Sequence, residues 1–204
     1  MKLYNSIGPN PRVVNMFLAE KGVDVERVTV DLRAGENRQA PYLSKNPSGQ
    51  TPALELDNGA FVAEILAICE YLEEKFPSPA LIGATAEERA ETRMWTRRMD
   101  LKVCEPLANG FRFAEGLAMF QSRLRCLPEA APGLKLVAQD GLQWMEDHLS
   151  GDWLAGARFT LADIVLFAFL DFGGQVGQPL DAKYTKVNAW FERVKARPSA
   201  AASA

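Results

Sequence analysis

The chain has 204 residues, 48% of them hydrophobic, and a net charge of −3 from 23 Lys and Arg against 26 Asp and Glu. That is the balance of an ordinary globular chain of one or two domains. It excludes a disordered chain, a disulfide scaffold and the strongly basic surface that nucleic acid or an anionic membrane selects. The longest apolar run, Ile164–Leu170, lies between Asp163 and Asp171 and is far shorter than the ~20 residues of a membrane span. Met1–Asn5 has no signal-peptide apolar core, so a cytoplasmic protein is expected.

In chain order, Lys2–Asn5 is short and β-prone. Pro11–Lys21 places Val13, Val14, Phe17 and Leu18 on one helical stripe, and Gly22 ends it. Val23–Val30 alternates as a second strand, and the polar loop Ala34–Gln39 leads to a short helix near Pro41–Ser44. Pro52–Leu56 and Ala60–Val62 flank Asp57-Asn58-Gly59, a tight-hairpin signal. A helix from Glu64 to about Lys75 follows, with Ile65, Ile68, Leu72 and Phe76 on one face. The order β-α-β-α-β-β-α defines an α/β domain over 1–76, and Pro77, Pro79 and Gly83 mark a linker over 77–85. Residues 86–204 read as all-helical. The expected helices are Ala86 to about Glu115, bent near Pro106, then Pro132–Leu149, Thr160–Leu170 and Lys183–Ala196, with a frayed tail at Ser199–Ala204.

Cys69, Cys104 and Cys126 are widely spaced with no C-x-x-C, and His148 is the single histidine, so no metal site is expected. The cysteines read as small core hydrophobes and His148 as a residue of a helix's last turn.

Four local features carry chemistry or structure. In Asn46-Pro47-Ser48-Gly49-Gln50-Thr51-Pro52-Ala53-Leu54, Pro52 opens a strand directly after a turn. A cis Thr51–Pro52 bond would leave the main chain of Thr51 outward, ready to pair with an extended peptide. Ala63-Glu64-Ile65 opens a helix whose free N–H groups suit a carboxylate, while Glu64 suits an ammonium. In Gly8-Pro9-Asn10-Pro11-Arg12, Asn10 is placed to cap the first helix. Thr160 and Asp163 form a capping box of structural kind.

Three of these segments resemble the cytosolic glutathione transferases. Asn46–Leu54 resembles the family's N-P-x-G-x-x-P-x-L segment. Glu64–Leu72 is similar to its E-S-x-A-I-x-x-Y-L helix, and Thr160–Ile164 to its S/T-x-A-D-I box. The resemblance runs over essentially the whole chain. It implies a thioredoxin-like domain that binds glutathione and an all-helical domain lining a site for a small hydrophobic electrophile. It places the cysteinyl main chain of glutathione on Thr51, before cis Pro52. The γ-glutamyl end goes to Glu64 and Ile65, and the glycine end to Asn37, Arg38 and Gln50. Where many members have Ser, this chain has Ile65; loss of that hydroxyl is expected to weaken binding by ~1.5–3 kcal/mol. The serine-type members' Ser position is Gly8. The bacterial Nu-class pattern puts the activating role on Asn10, with Ser6 and Tyr4 as alternatives. No Cys lies near Ser6–Asn10, which argues against an enzyme-thiol mechanism.

The implied chemistry is activation of the glutathione thiol, whose pKa is ~8.5 when free, followed by conjugation or by disulfide or peroxide reduction. Glutathione is the co-substrate, with no metal. The resemblance also implies a homodimer in which Asp100 reaches the partner's γ-glutamyl ammonium. Leu107, Phe111, Phe113 and Met119 are candidate electrophile contacts. The alternative is a non-catalytic protein of the same fold that binds small apolar ligands or a protein partner.

Overall fold

Alternation in the first 63 residues resolves into four short strands. In the computed structural model, which describes residues 1–204, β1 (Lys2–Asn5), β2 (Glu26–Thr29), β3 (Ala53–Glu55) and β4 (Phe61–Ala63) form one mixed sheet in the order β2-β1-β3-β4. β1 and β2 are parallel, so the connection must cross over, and α1 (Pro9–Lys21) does so. β3 is antiparallel to both β1 and β4. The β3–β4 hairpin closes through Leu56 N–H to Ala60 C=O at 2.8 Å, with Gly59 at φ 82°.

Side chains alternate across the strands, so Leu3 and Leu54, directly opposed, face one side and Tyr4 and Ala53 the other. Leu3 and Leu54 are fully buried. So are Val13, Val14 and Phe17 of α1, and Ile68, Cys69 and Leu72 of α3 (Ile65–Lys75), which contacts α1. On the opposite face Val30, Ala53 and Tyr42 of α2 (Ala40–Leu43) cluster, with Tyr4 against them. This is the thioredoxin-like α/β domain expected from the sequence. α1 ends at Gly22, in the left-handed conformation at φ 63°. The loop 34–39 holds a 3₁₀ turn, Glu36–Arg38, that its polarity did not disclose.

A buried ion pair fastens the segment after α3. Lys21, 7% exposed, pairs with Glu73, 4% exposed. The Lys21 ammonium also donates to the carbonyls of Phe76 (2.8 Å) and Pro79 (2.5 Å). The Glu73 carboxylate accepts from the N–H groups of Leu81 (3.3 Å) and Ile82 (2.8 Å). Proline-interrupted backbone that could not pair in a ladder thus finds its partners in one charge pair.

The remaining regular elements are mainly helices: α4 (Ala86–Met99), α5 (Glu105–Arg112), α6 (Leu117–Phe120), α7 (Ala131–His148), α8 (Leu161–Gln175), α9 (Thr185–Lys195) and α10 (Pro198–Ala202). The long helix expected from Ala86 to about Glu115, bent near Pro106, is helical without a break from Ala86 to Arg112 but changes register part-way. A π-helical turn, Asp100–Cys104, joins α4 to α5 just before Pro106, which has no N–H to continue an α ladder. α7 lies so close to this turn that a Cβ on Gly141 would sit 2.3 Å from the Lys102 carbonyl oxygen. α8 is buried along nearly its whole length and runs five residues beyond the expected Leu170.

Thr160 and Asp163 form the expected capping box at the start of α8. Asp163, fully buried, accepts from Leu154 N–H (2.9 Å), Thr160 N–H (2.9 Å), the Thr160 hydroxyl (3.1 Å) and the Trp190 indole (2.8 Å). One carboxylate thereby ties a loop, the start of α8 and α9 together.

The chain divides into two compact units, Met1–Ile82 with Pro198–Ala204, and Gly83–Arg197. The last residues are not the frayed tail that their composition suggested. They form α10, which contacts α1, with Ser199, Ala200 and Ser203 buried. The Ser199 hydroxyl donates to Glu20, and Arg12 donates to the Ala200 carbonyl (3.4 Å). Alanine and serine, small enough to sit flush on a helix, give no periodic signal to read beforehand. No helix is long and apolar enough to cross a membrane.

Candidate functional site

The register fixes where the candidate residues meet. Tyr4 pairs with Val28 in β2 and with Ala53 in β3, and Ala53 pairs with Ala63 in β4. With β3 reversed, the C-terminal ends of β1, β2 and β4 and the start of β3 share one edge of the sheet. Ser6–Asn10 follow β1 there, Asn37 and Arg38 lie on the connection leaving β2, Gln50–Pro52 enter β3, and Glu64 and Ile65 leave β4. Residues scattered over sixty positions converge because the strands are short and the sheet is mixed.

The entry to β3 is held from behind. The Gln50 carbonyl accepts from the Tyr42 hydroxyl at 2.5 Å and from the Asn46 amide at 2.8 Å. The Asn37 amide donates to Gly49 C=O at 2.6 Å, and Arg38 donates to Ser48 C=O at 3.1 Å. Gly49 suits this turn because its φ of 63° strains any other residue, and a Cβ there would lie 3.0 Å from the Asn37 carbonyl oxygen. Asn37 is buried, so it shapes this loop from within, while the Gln50 side chain is exposed. The Thr51–Pro52 bond is cis, as the family resemblance implied and the turn-then-proline pattern alone left open. The N–H and C=O of Thr51 make no hydrogen bond within the chain.

Tyr42 and Asn46 are the supports that sequence reasoning missed as such. Asn46 stood in the quoted segment, but no local pattern marks Tyr42. Burial pushes the Tyr42 phenol up to about 12. Its protonated form therefore stabilises the fold below the ordinary value of ~10, and that contribution is lost as pH rises through about 12. Tyr42→Phe is expected to cost ~1 kcal/mol at neutral pH and to reduce the steepness of alkaline unfolding, read by circular dichroism against pH.

Glu64 is the chain's single non-glycine residue at positive φ (69°). Such conformations cost about 1–3 kcal/mol and persist where the surroundings impose them, often at ligand sites. Here it turns the chain from β4 into α3, which starts at Ile65 rather than Glu64 and has no side-chain cap. Ile68 N–H is the first to bond within the helix, to Glu64 C=O, so those of Ile65, Leu66 and Ala67 are open. α1 contrasts with it. Its cap is Gly8, at φ 110°, and Pro9 precedes Asn10 inside the helix. The expectation that Asn10 caps α1 is thus corrected: Gly8 alone tolerates the required backbone, which moves the helix start two residues earlier. With Pro9 and Pro11 lacking N–H groups, Asn10 supplies the open donor of that first turn.

The three candidate sulfur donors differ in what they already hold. The Tyr4 hydroxyl donates to Glu55 at 2.9 Å, and burial together with that carboxylate holds the phenol above its ordinary value. The Ser6 hydroxyl donates to Val30 C=O at 2.7 Å. The Asn10 amide makes no hydrogen bond and is half-exposed.

Residues 1–74 match the family described as Glutathione S-transferase, N-terminal domain, and residues 122–198 the one described as Glutathione S-transferase, C-terminal domain. Glutathione S-transferase 2 of Saccharomyces cerevisiae is 32% identical over 200 residues, covering 94% of this chain and 84% of that protein. The chain belongs to the glutathione S-transferase family. Among solved structures, Gtt2 from Saccharomyces cerevisiae aligns at TM-score 0.93 and 31% identity, covering 100% of both chains. A glutathione S-transferase domain-containing protein from Marinobacter aquaeolei aligns at TM-score 0.92 and 36% identity, covering 98% of this chain and 99% of that one.

In this glutathione S-transferase family chain two of the three thiols, those of Cys69 and Cys104, are shut away from any substrate, while Cys126 is half-buried with its Sγ 3.8 Å from the Arg112 carbonyl. Cys69 and Cys104 are fully buried, and burial pushes both thiols far up. Of the candidate electrophile contacts, Leu107 is core at 3% exposed, and Phe111 packs edge-on against Phe172 at 5.1 Å; Phe113 is half-buried and Met119 is 48% exposed.

Proposed function

We propose that the protein is a glutathione transferase that binds glutathione at this sheet edge and activates its thiol for attack on small hydrophobic electrophiles. Reduction of disulfides or peroxides by the same thiolate is the companion activity. The observation that carries the reading is the unpaired Thr51 main chain before cis Pro52, in register with the open first turn of α3. An extended thiol peptide adds to Thr51 as a strand would. Its γ-glutamyl carboxylate meets the N–H groups from Ile65 onward, and its ammonium meets the Glu64 carboxylate. Gln50, with Asn37 and Arg38 behind it, serves the glycine end.

Asn10 then donates its side-chain amide to the sulfur. Ser6 and Tyr4 would each have to give up an existing hydrogen bond to do so. Lowering the thiol pKa by ~1–2 units takes roughly 1.4–2.7 kcal/mol, the scale of one hydrogen bond to a charged acceptor. Ile65 supplies no hydroxyl, so the main chain carries the carboxylate contact.

Retention on glutathione-agarose, with elution by free glutathione, is the expected behaviour; passage straight through the column would remove the site. The protein functions as a homodimer in this reading, and light scattering at micromolar concentration should give twice the chain mass.

A further inference from the structure

The dipeptide Asn-Gly occurs twice in the chain, at Asn58-Gly59 and at Asn109-Gly110. An asparagine side chain can be attacked by the main-chain nitrogen of the next residue, and glycine, with no side chain, shields that nitrogen least. Sequence makes the two pairs equal, and the fold separates them. Asn58 and Gly59 form the exposed tip of the β3–β4 hairpin. Ala60 N–H donates to Asn58 Oδ1 at 3.0 Å, which curls the side-chain carbonyl back over the Gly59 peptide. The same donor withdraws electrons from Cγ and meets the charge that develops on Oδ1 during attack. Gly59 N–H itself donates to Leu56 C=O at 3.0 Å, a bond at a hairpin tip, where local opening costs little. Asp57 alongside holds the Met1 ammonium at 2.6 Å and the Lys75 ammonium at 2.5 Å, so a new carboxylate at 58 arises near two cations.

Asn109 is held differently. It lies inside α5, where the helix ladder uses the N–H of Gly110. Its Oδ1 accepts from Arg112 at 2.8 Å and its Nδ2 donates to Glu105 at 3.3 Å. That carbonyl is polarised too, but helix side chains lean toward the helix N-terminus, away from the nitrogen of the next residue. Gly110 is buried, and a Cβ on it would lie 2.9 Å from Lys135 Cγ, so the main chain there has no room to swing toward its neighbour's side chain.

We propose that Asn58 is a self-modification site of this protein, converting to aspartate and isoaspartate through a cyclic imide formed with Gly59. The Gly59 nitrogen gives its proton to hydroxide and attacks Cγ of Asn58. The bond from Cγ to Nδ2 breaks, and Nδ2 leaves as ammonia with a proton taken from water. Water then cleaves the imide at one of its two carbonyls. The sum is one water consumed and one ammonia released, with nothing oxidised or reduced. Cleavage at the main-chain carbonyl leaves isoaspartate, which routes the backbone through the side-chain carbon and lengthens the turn by an atom. The hairpin bond from Leu56 N–H to Ala60 C=O spans that atom, so the change is felt at the entry to β4.

The test is incubation of the folded protein in mildly alkaline buffer made with heavy-oxygen water, followed by tryptic digestion and mass spectrometry. Asn58 lies in the peptide 46–75, whose other asparagine, Asn46, precedes Pro47 and so faces a nitrogen with no proton to lose. Heavy oxygen is expected in residue 58, in chromatographically separate aspartate and isoaspartate forms. Asn109 should react at least ~tenfold more slowly, because a packed helix opens far more rarely than a hairpin tip. In concentrated urea the two sites should react at similar rates, which assigns the selectivity to the fold. Asn58→Gln, an exposed change whose longer side chain must close a larger ring, should lose the signal from this peptide. Label appearing in Asn109 as fast as in Asn58, or an Asn58 that stays intact in the folded chain while urea releases both, overturns the proposal.

Discussion

Replacing Asp163 with alanine is expected to cost at least ~3 kcal/mol of stability. The carboxylate is fully buried and takes four hydrogen bonds, from the backbone N–H groups of Leu154 and Thr160, the Thr160 hydroxyl and the Trp190 indole. The hydroxyl can turn elsewhere. The three N–H groups cannot, and each buried donor left unmade costs about 1–3 kcal/mol. The start of α8 also loses its cap. For a chain of this length the melting temperature should fall by at least ~6 °C. Differential scanning calorimetry checks it, and a change under ~2 °C would show that the network does not hold the helical unit.

Glu73→Ala is the second large effect, at about 3–5 kcal/mol, because it strands a buried ammonium. The double variant Lys21→Met with Glu73→Leu separates two accounts. An isolated buried ion pair can often be replaced by apolar residues with no loss. Here the pair also serves the carbonyls of Phe76 and Pro79 and the N–H groups of Leu81 and Ile82. The double variant is therefore expected to stay destabilised by at least ~2 kcal/mol in urea unfolding. Recovery of wild-type stability would mean that the linker backbone finds other partners.

The elements that were readable in the chain are those whose local chemistry leaves one answer. Gly22 ends α1, Asp57-Asn58-Gly59 closes a hairpin, and Thr160 with Asp163 opens α8. Periodicity located every long helix, but it could not show the π-helical turn before Pro106, where apolar spacing continues while the hydrogen-bond register changes. Asn10 was misplaced because a cap residue and a first-turn residue look alike in sequence; the left-handed Gly8 decides between them. The loop into β3 was legible as a turn before a proline. Its support by Tyr42 was not, since that contact depends on a tertiary approach with no local signature. Likewise, nothing in the spacing of Tyr4 and Ser6 disclosed that their hydroxyls are taken by Glu55 and by the Val30 carbonyl.

The role proposed for Asn10 is to stabilise the sulfur of glutathione bound where β1, β2 and β4 end and β3 begins. The direct measurement is thiolate absorbance against pH for the glutathione complex of the wild type and of Asn10→Ala, Ser6→Ala and Tyr4→Phe. Asn10→Ala should raise the bound thiol's pKa by ~1–2 units and lower turnover roughly 10- to 150-fold, with glutathione affinity little changed. Ser6→Ala and Tyr4→Phe should be mild. A low-pKa thiolate that survives in Asn10→Ala and vanishes in Ser6→Ala or Tyr4→Phe would move that role from Asn10 to Ser6 or Tyr4.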